Sequence, residues 1–322
     1  MYKRRRILFL VYDGFELLDM SGPMSVFSTA NAMAGQGVYE IEVVSTEGGA
    51  VRSVSGANIL SKACGEITLA AHDTVLVVGA LKVDLVKACA ERVMKKWLRQ
   101  AARKAERFGS ICTGAFVLAS AGLLAGKKAT THWSGCQPMG ALYPQVALQP
   151  DALYVVDGSA WTSAGVTTGI DMALAMIEVD LGADMVGQIA RHLIVYAHRP
   201  GNQSQFSVLL DAQIAAAGTF SGVVTWVQER LDCSIRVADM AEFVGMSERT
   251  FYRKFTDHMG FTPSKFIENA RLEKAKGLLE AKVPVKVVVH AVGFKSEAGF
   301  RSAFEAKYAV TPSLHRLIHG QV

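Results

Sequence analysis

No stretch of about 18 strongly apolar residues occurs in the chain, which argues against a simple membrane-spanning helix. The most apolar uncharged run, residues 111–126, is interrupted by Gly, Ser and Thr. The start, Met-Tyr-Lys-Arg-Arg-Arg, has the basic character of a signal peptide. Only five apolar residues, Ile7 to Val11, then precede Asp13, too few for the apolar stretch such a peptide needs. The expectation is a cytoplasmic protein with no membrane partner. Cysteine shows no pattern either: five occur, at 64, 89, 112, 136 and 233, with no C-x-x-C. An odd number at irregular spacing suggests neither a disulfide framework nor a zinc site. Nothing resembles a metal cluster or a phosphate-cradling loop, so no metal and no cofactor is expected; the glycines at 48–49 read as a hairpin turn. Polar low-complexity sequence is also missing. Half the residues are hydrophobic, 20% are charged and the mean hydropathy is +0.23, which excludes a disordered chain.

What is present divides into two grammars. At 322 residues the chain is long enough for two domains. Residues 1–200 hold 19 Lys/Arg and 17 Asp/Glu, net +2; residues 201–322 hold 15 and 12, net +3, so the smaller segment carries more of the excess. This permits a nucleic-acid partner without establishing one. In the first segment, Arg6–Tyr12, Tyr39–Ser45 and Thr74–Gly79 read as buried strands, being apolar runs rich in β-branched residues. Helical patterns alternate with them, notably from Val83 to about Glu106, and the alternation predicts a parallel α/β sandwich. A further helix containing His192 and His198 is expected to end at Arg199-Pro200. The polar stretch after Pro200 reads as a linker over 201–219, separating a domain at 1–200 from one at 220–322.

The second segment contains an internal duplication. A shift of 49 aligns Ser247 with Ser296, Glu248 with Glu297, Phe251 with Phe300 and Phe255 with Phe304, and Thr262-Pro263-Ser264 with Thr311-Pro312-Ser313. A shift of 48 aligns Val244-Gly245 with Val292-Gly293. Each copy reads as helix, tight turn, helix. Val237–Val244 and Val285–Val292 form the first helices, and Gly245 and Gly293 supply the left-handed turn that a Cβ disfavours. Ser247 and Ser296 cap the second helices, whose paired phenylalanines share one buried face while Arg249, Tyr252 and Arg253 fall on the other. Thr262-Pro263 and Thr311-Pro312 each start a following helix with proline at its first position. Helix-turn-helix geometry sends the second helix into the DNA major groove.

Residues 220–320 resemble the AraC/XylS DNA-binding domain, including the run Gly293, Phe294, Ser296, Phe300, Phe304 and the closing Thr-Pro-Ser. The resemblance implies base and phosphate contacts from Arg249, Tyr252 and Arg253 in the first recognition helix, and from Glu297, Ala298, Arg301 and Ser302 in the second. Ser247, Lys254 and Ser296 complete the DNA-facing set. Ala309 departs from a usual glycine and His315 from a common aromatic, and the second recognition helix is poor in basic residues.

In the first segment, Phe108–Gly114 (FGSICTG) is a short strand running into Cys112, with a helix pattern from Ala115 to Leu124 immediately after. A nucleophile at such a strand-to-helix elbow lies near a helix N-terminus, which lowers a thiol pKa. Together with Tyr12–Pro23, Ala129–Trp133 and Trp161–Asp171, this segment resembles the ThiJ/PfpI superfamily of class I glutamine amidotransferase-like domains, and more narrowly its GlxA-like fusions with AraC-type domains. The fold implied is a flavodoxin-like parallel α/β sandwich followed by an all-α domain with two helix-turn-helix units. The acidic partner of the elbow cysteine maps to Asp19, with Glu16 the second candidate. Backbone N–H groups at Thr113 and Gly114 are placed to bind a carboxylate or oxyanion. His132 reads as a pocket residue beside Trp133 or, alternatively, as a base. Cys64, Cys89, Cys136 and Cys233 read as structural.

The expectation is therefore a non-enzymatic transcriptional regulator. Its effector site comprises Asp19, Cys112, Thr113, Gly114 and His132, with Cys112, Asp19 and His132 as vestigial catalytic groups. The resemblance implies promoter DNA, a small effector such as an amino acid or quaternary amine, a homodimer, and RNA polymerase if the protein is an activator. The alternative is a cysteine-dependent hydratase or amidase using Cys112 and Asp19, with an accessory DNA-binding domain.

Overall fold

The computed structural model describes residues 4–195, 199, 201, 220–259, 261–308 and 310–319. The chain forms two compact units, Met1–Gln205 and Phe206–Val322. Apart from Gly201, the segment expected to be a linker lies outside the described residues, as do His198, Pro200 and Ala309.

The first unit is built on an eight-stranded sheet. Its strands run in the order β3 (Gly49–Arg52), β4 (Asn58–Ala63), β2 (Tyr39–Ser45), β1 (Arg5–Leu10), β5 (Asp73–Val77), β6 (Arg107–Ile111), β10 (Ala160–Ser163), β9 (Tyr154–Asp157). The six inner strands are parallel and β3 and β9 pair antiparallel at the edges. Strands β5 and β6 are buried along their whole length, as parallel strands covered on both faces are. The short β7 (Lys128–Ala129) and β8 (Ala147–Leu148) form a separate ladder. One layer packs α2 (Lys82–Ala90), α3 (Arg92–Lys104) and α4 (Gly114–Ser120) against Leu8, Leu10, Val75 and Val77. The other packs α1 (Leu17–Ala34), α6 (Thr168–Leu181) and α7 (Ala183–His192) against Ile7, Phe9, Leu76 and Ile111. α5 (Trp133–Leu142) follows β7.

Three local expectations change. The helix over 83–106 is two helices, broken at Glu91, whose backbone is extended (φ −71°, ψ 116°). The buried residues Leu85 and Ala88 are out of helical phase with Met94, Trp97, Leu98 and Ala101. A continuous helix would turn one set to solvent, and the break lets both reach the sheet. The turn at Gly48–Gly49 joins β2 to β3, which are not neighbours; the hairpin is β3 with β4, turning over 53–57. The helix holding His192 ends there, seven residues before Arg199.

The second unit repeats itself. α8 (Ser221–Gln228) leads into α9 (Val237–Phe243) and α10 (Glu248–Met259); α11 (Pro263–Glu280) then crosses to α12 (Val285–Ala291), α13 (Glu297–Tyr308) and α14 (Pro312–His319). The repeat is exact in length: a 7-residue helix precedes a 12-residue helix in both copies. Phe251, Phe255 and Met240 form one core with Phe266 and Ile267 of α11, while Phe300, Phe304 and Val288 form the other with Leu272 and Leu279. One long helix thus supplies a face to each copy.

Candidate functional site

The parallel strands place their carboxyl ends on one edge of the sheet. The chain leaves β1 for β2 on one side and returns to β5 on the other, so a crevice opens at this edge. Four loops meet there. Cys112 follows β6 with φ of 59°, a left-handed conformation that is uncommon outside glycine. It is fastened on both sides: its N–H donates to the Ser163 carbonyl (3.0 Å), and the Thr131 hydroxyl donates to its carbonyl (3.0 Å). A Cβ at Gly165 would strike Cys112, so the loop after β10 closes over the elbow only with glycine there.

Asp19 is fully buried in the first turn of α1. Its carboxylate accepts the Gly79 N–H at 3.0 Å and the Val166 N–H at 2.7 Å, and the Cys112 side chain lies beside it over Gly79. Val166 also has a positive φ, 52°, an outlier for a β-branched residue. Burial pushes the Asp19 carboxyl up to about 6 despite these donors. Burial and the neighbouring Asp19 hold the Cys112 thiol well above its ordinary range. This overturns the expectation of a thiol lowered by the helix N-terminus: desolvation and an adjacent carboxylate both disfavour a thiolate. Glu16 does not compete for the cysteine. Its side chain caps α1 by accepting the Leu18 N–H at 3.3 Å.

Thr113 spends its hydroxyl on Ala80, accepting from the N–H and donating to the carbonyl at 2.9 Å each. Gly114 opens α4 and is buried. His132 caps neither the pair nor the thiol: its Nδ1 bonds the Ser134 hydroxyl at 2.8 Å, its ring lies 5.3 Å from Trp133, and burial lowers its pKa. The elbow, Asp19 and Thr113 therefore gather into one cluster, with His132 on the adjoining loop. Three contributors went unrecognised in the sequence: Thr131, Gly165 and Val166. Their visible trace was membership of the segments Ala129–Trp133 and Trp161–Asp171.

A partly buried ion pair braces this edge. Arg199 donates to Asp171 through Nε (3.1 Å), Nη2 (2.7 Å) and its backbone N–H (3.0 Å), and to the Thr167 hydroxyl at 3.0 Å. Thr167 adjoins Val166. Gly201, two residues on, accepts the Leu153 N–H at 2.7 Å.

In the helical unit, Ser247 accepts the Thr250 N–H (3.3 Å) and Ser296 the Gly299 N–H (3.1 Å), so both serines cap as expected. Gly245 and Gly293 take φ of 65° and 71° at the two turns. Arg249, Tyr252, Arg253 and Lys254 are exposed on α10 opposite Phe251 and Phe255. Glu297, Ala298, Arg301 and Ser302 are exposed on α13, but Arg301 is tied to Glu305 at 2.7 Å. His315 is buried against Phe304 and Tyr308 and meets Glu280 at 3.3 Å, filling an aromatic's place in the core.

The DJ-1/PfpI family model matches residues 5–179, and a helix-turn-helix domain model matches residues 240–317. The chain is 30% identical to the HTH-type transcriptional regulator GlxA of Rhizobium meliloti, over 97% of this chain and 96% of that one. It is 29% identical to the HTH-type transcriptional regulator CdhR of Pseudomonas aeruginosa, over 96% and 91%. A solved ThiJ/PfpI family protein from Pseudomonas syringae superposes with a TM-score of 0.55 at 23% identity, covering 81% of this chain and 92% of that one. The chain belongs to the DJ-1/PfpI family, in the group that carries an AraC-type helix-turn-helix domain on the same polypeptide.

Proposed function

We propose that this protein is a cytoplasmic, sequence-specific transcriptional regulator whose α/β domain, residues 1–200, senses a small metabolite and whose helical domain, residues 220–322, reads promoter DNA. The observation that carries the DNA reading is the duplicated 7-plus-12-residue helix pair, with its aromatic face buried and Arg249, Tyr252, Arg253 and Lys254 turned to solvent. Two such units read successive major-groove segments about one helical turn apart, roughly 34–36 Å. Arginine forks suit guanine, and the capping serines suit phosphate.

Sensing rests on the elbow cluster. Asp19, Cys112, Thr113, Gly114 and His132 surround the effector, a small nitrogenous compound such as an amino acid or quaternary amine. Burial and the adjoining carboxylate disfavour a thiolate, and His132 bonds Ser134 rather than the thiol, so no imidazole activates the cysteine. That supports binding rather than turnover. The protein acts as a homodimer and, where it activates, contacts RNA polymerase.

Linkage supplies the test. Effector and operator must alter each other's affinity by the same factor. A thermal-shift screen of metabolites identifies the effector, because a ligand of the folded state raises its stability. Isothermal titration with and without operator then measures the coupling, and equal affinities in both arms would refute the sensing mechanism. A catalytic reading keeps one supporting observation, the strained elbow at Cys112 with Asp19 beside it. Cys112→Ala separates the two: a pure sensor still regulates, whereas a catalytic sensor loses its response.

A further inference from the structure

Helix α3 carries six cations in 13 residues, Arg92, Lys95, Lys96, Arg99, Arg103 and Lys104, and no acid. Four of them, Arg92, Lys96, Arg99 and Arg103, recur at i, i+4, i+7 and i+11, which is one helical face, and all four are exposed. Among the described residues none of the six forms an ion pair. The acid just beyond the helix, Glu106, is taken by Arg5. The opposite face buries Met94, Trp97, Leu98 and Ala101 in the core, so no apolar face remains for a lipid surface.

This arrangement is unfavourable for the helix itself. Arg92/Lys96, Lys95/Arg99 and Arg99/Arg103 are like-charge i,i+4 pairs, and Arg92 and Lys95 stand in the first turn, where the dipole already repels cations. A solvated helix with no partner would gain by interspersing acids. The stripe also continues off the helix. A cavity of about 520 Å³ beside it is lined by Arg99, Arg103, Lys127 and Ser159, with no acidic residue in its wall. Arg99 is held in place there by donating to the Ala121 carbonyl at 2.9 Å. This cavity is at the amino ends of β6 and β10, the opposite edge of the sheet from Cys112.

We infer that the α3 stripe, with Lys127, is a second nucleic-acid contact that binds the phosphate backbone of duplex DNA without reading its sequence. This rests on the helical unit being the DNA reader, since that unit keeps DNA at high effective concentration around the tethered α/β unit. Charge and length fit a strand of phosphates. Eleven residues rise about 16 Å along the helix, and a DNA strand presents a phosphate about every 3.4 Å along its axis. Arginine forks pair with phosphate oxygens in two-point fashion.

The test is binding of the full chain to a fluorescent random-sequence duplex of about 40 base pairs, by anisotropy at several salt concentrations. The variant R92Q/K96Q/R103Q removes three charges and leaves Arg99 on Ala121. Each lost phosphate contact lowers the slope of log K against log salt by about 0.9, so the variant's slope is expected to be shallower by about 2–3. Its helix should melt no lower than the original, because like-charge pairs are gone; should it misfold, Lys127→Gln on the adjoining loop is expected to lower the slope by about one. A wild-type slope in both variants overturns the proposal. R249A/R253A in parallel separates the two readings. Loss of binding there with an unchanged α3 variant overturns this surface and leaves the helical reader standing; loss confined to the α3 variant does the reverse. A wild-type chain that binds no duplex overturns both. A thermal shift with inorganic pyrophosphate that only the α3 variant lacks, at an unchanged DNA slope, assigns the surface to a small anion and overturns the proposal.

Discussion

Removing the Asp19 carboxylate should destabilise the α/β unit more at pH 5 than at pH 7. In the folded state this carboxyl titrates near 6 instead of its ordinary 3.8. The folded state therefore holds the proton more tightly, and stability falls as pH rises through that window. At pH 7 a rise from 3.8 to about 6 corresponds to roughly 3 kcal/mol of unfavourable ionisation. At pH 5 the folded group is mostly protonated, and the same linkage leaves roughly half of that penalty. Asp19→Ala removes that penalty at either pH. It also strips the acceptor from the Gly79 and Val166 N–H groups, a loss of about 1–3 kcal/mol for each buried donor. The donor loss does not depend on pH. The variant's destabilisation should therefore be greater at pH 5 than at pH 7, by on the order of 1 kcal/mol. Urea unfolding followed by tryptophan fluorescence in a Trp226→Phe background measures this in the first unit alone, which holds Trp97, Trp133 and Trp161. A destabilisation that is equal at the two pH values, or larger at pH 7, would refute the argument that burial dominates the environment of Asp19.

Gly245→Ala should cost only the left-handed strain, about 1–2 kcal/mol, because open space surrounds its missing Cβ. Gly293→Ala should cost clearly more, since its Cβ would strike the Leu231 carbonyl and the Arg271 guanidinium; equal melting temperatures for the two variants would contradict this. Arg199→Ala should lose on the order of 2–3 kcal/mol by urea unfolding, less than the 3–5 of a fully buried pair because the arginine is partly solvated. Cys112, protonated and 8% exposed, should be alkylated by iodoacetamide at pH 7 more slowly than the exposed Cys233. Peptide mass spectrometry that finds Cys112 modified first would overturn the account of its environment.

Much of the helical unit was legible because its determinants are local. Ser247 and Ser296 cap within three residues, Gly245 and Gly293 turn in place, and each phenylalanine pair spans one helical turn. The elbow at Cys112 could be read for the same reason, as strand and helix abut in one short segment. What escaped was assembled from distance. Thr131, Gly165 and Val166 reach Cys112 and Asp19 only because the sheet order brings β10 beside β6. The thiol's environment was misjudged by the same route: a local rule about helix N-termini ignored a carboxylate that arrives from 93 positions earlier in the chain. The break at Glu91 was hidden because neither Gly nor Pro marks it; only the phase of the buried residues does.

The two recognition helices share a fold but not a charge distribution, and this makes their tasks unequal. On α10, Arg249, Arg253 and Lys254 are exposed and form no ion pair among the described residues. On α13 the single exposed arginine of the contact face is already paired with Glu305, and Glu297 stands at the end that enters the groove. An arginine must release Glu305 before it can fork onto a guanine, and a carboxylate near phosphate repels it unless it accepts from a cytosine amino group. The first copy is therefore suited to supply affinity, and the second to discriminate by shape and by a few uncharged contacts. The formal charge of the chain, +5, does not reveal this. Among the described residues, exposed cations outside any ion pair line α10 and, at Lys282, Lys286 and Lys295, the neighbourhood of α12 and α13, and the salt dependence of DNA binding should follow these particular groups rather than the net charge.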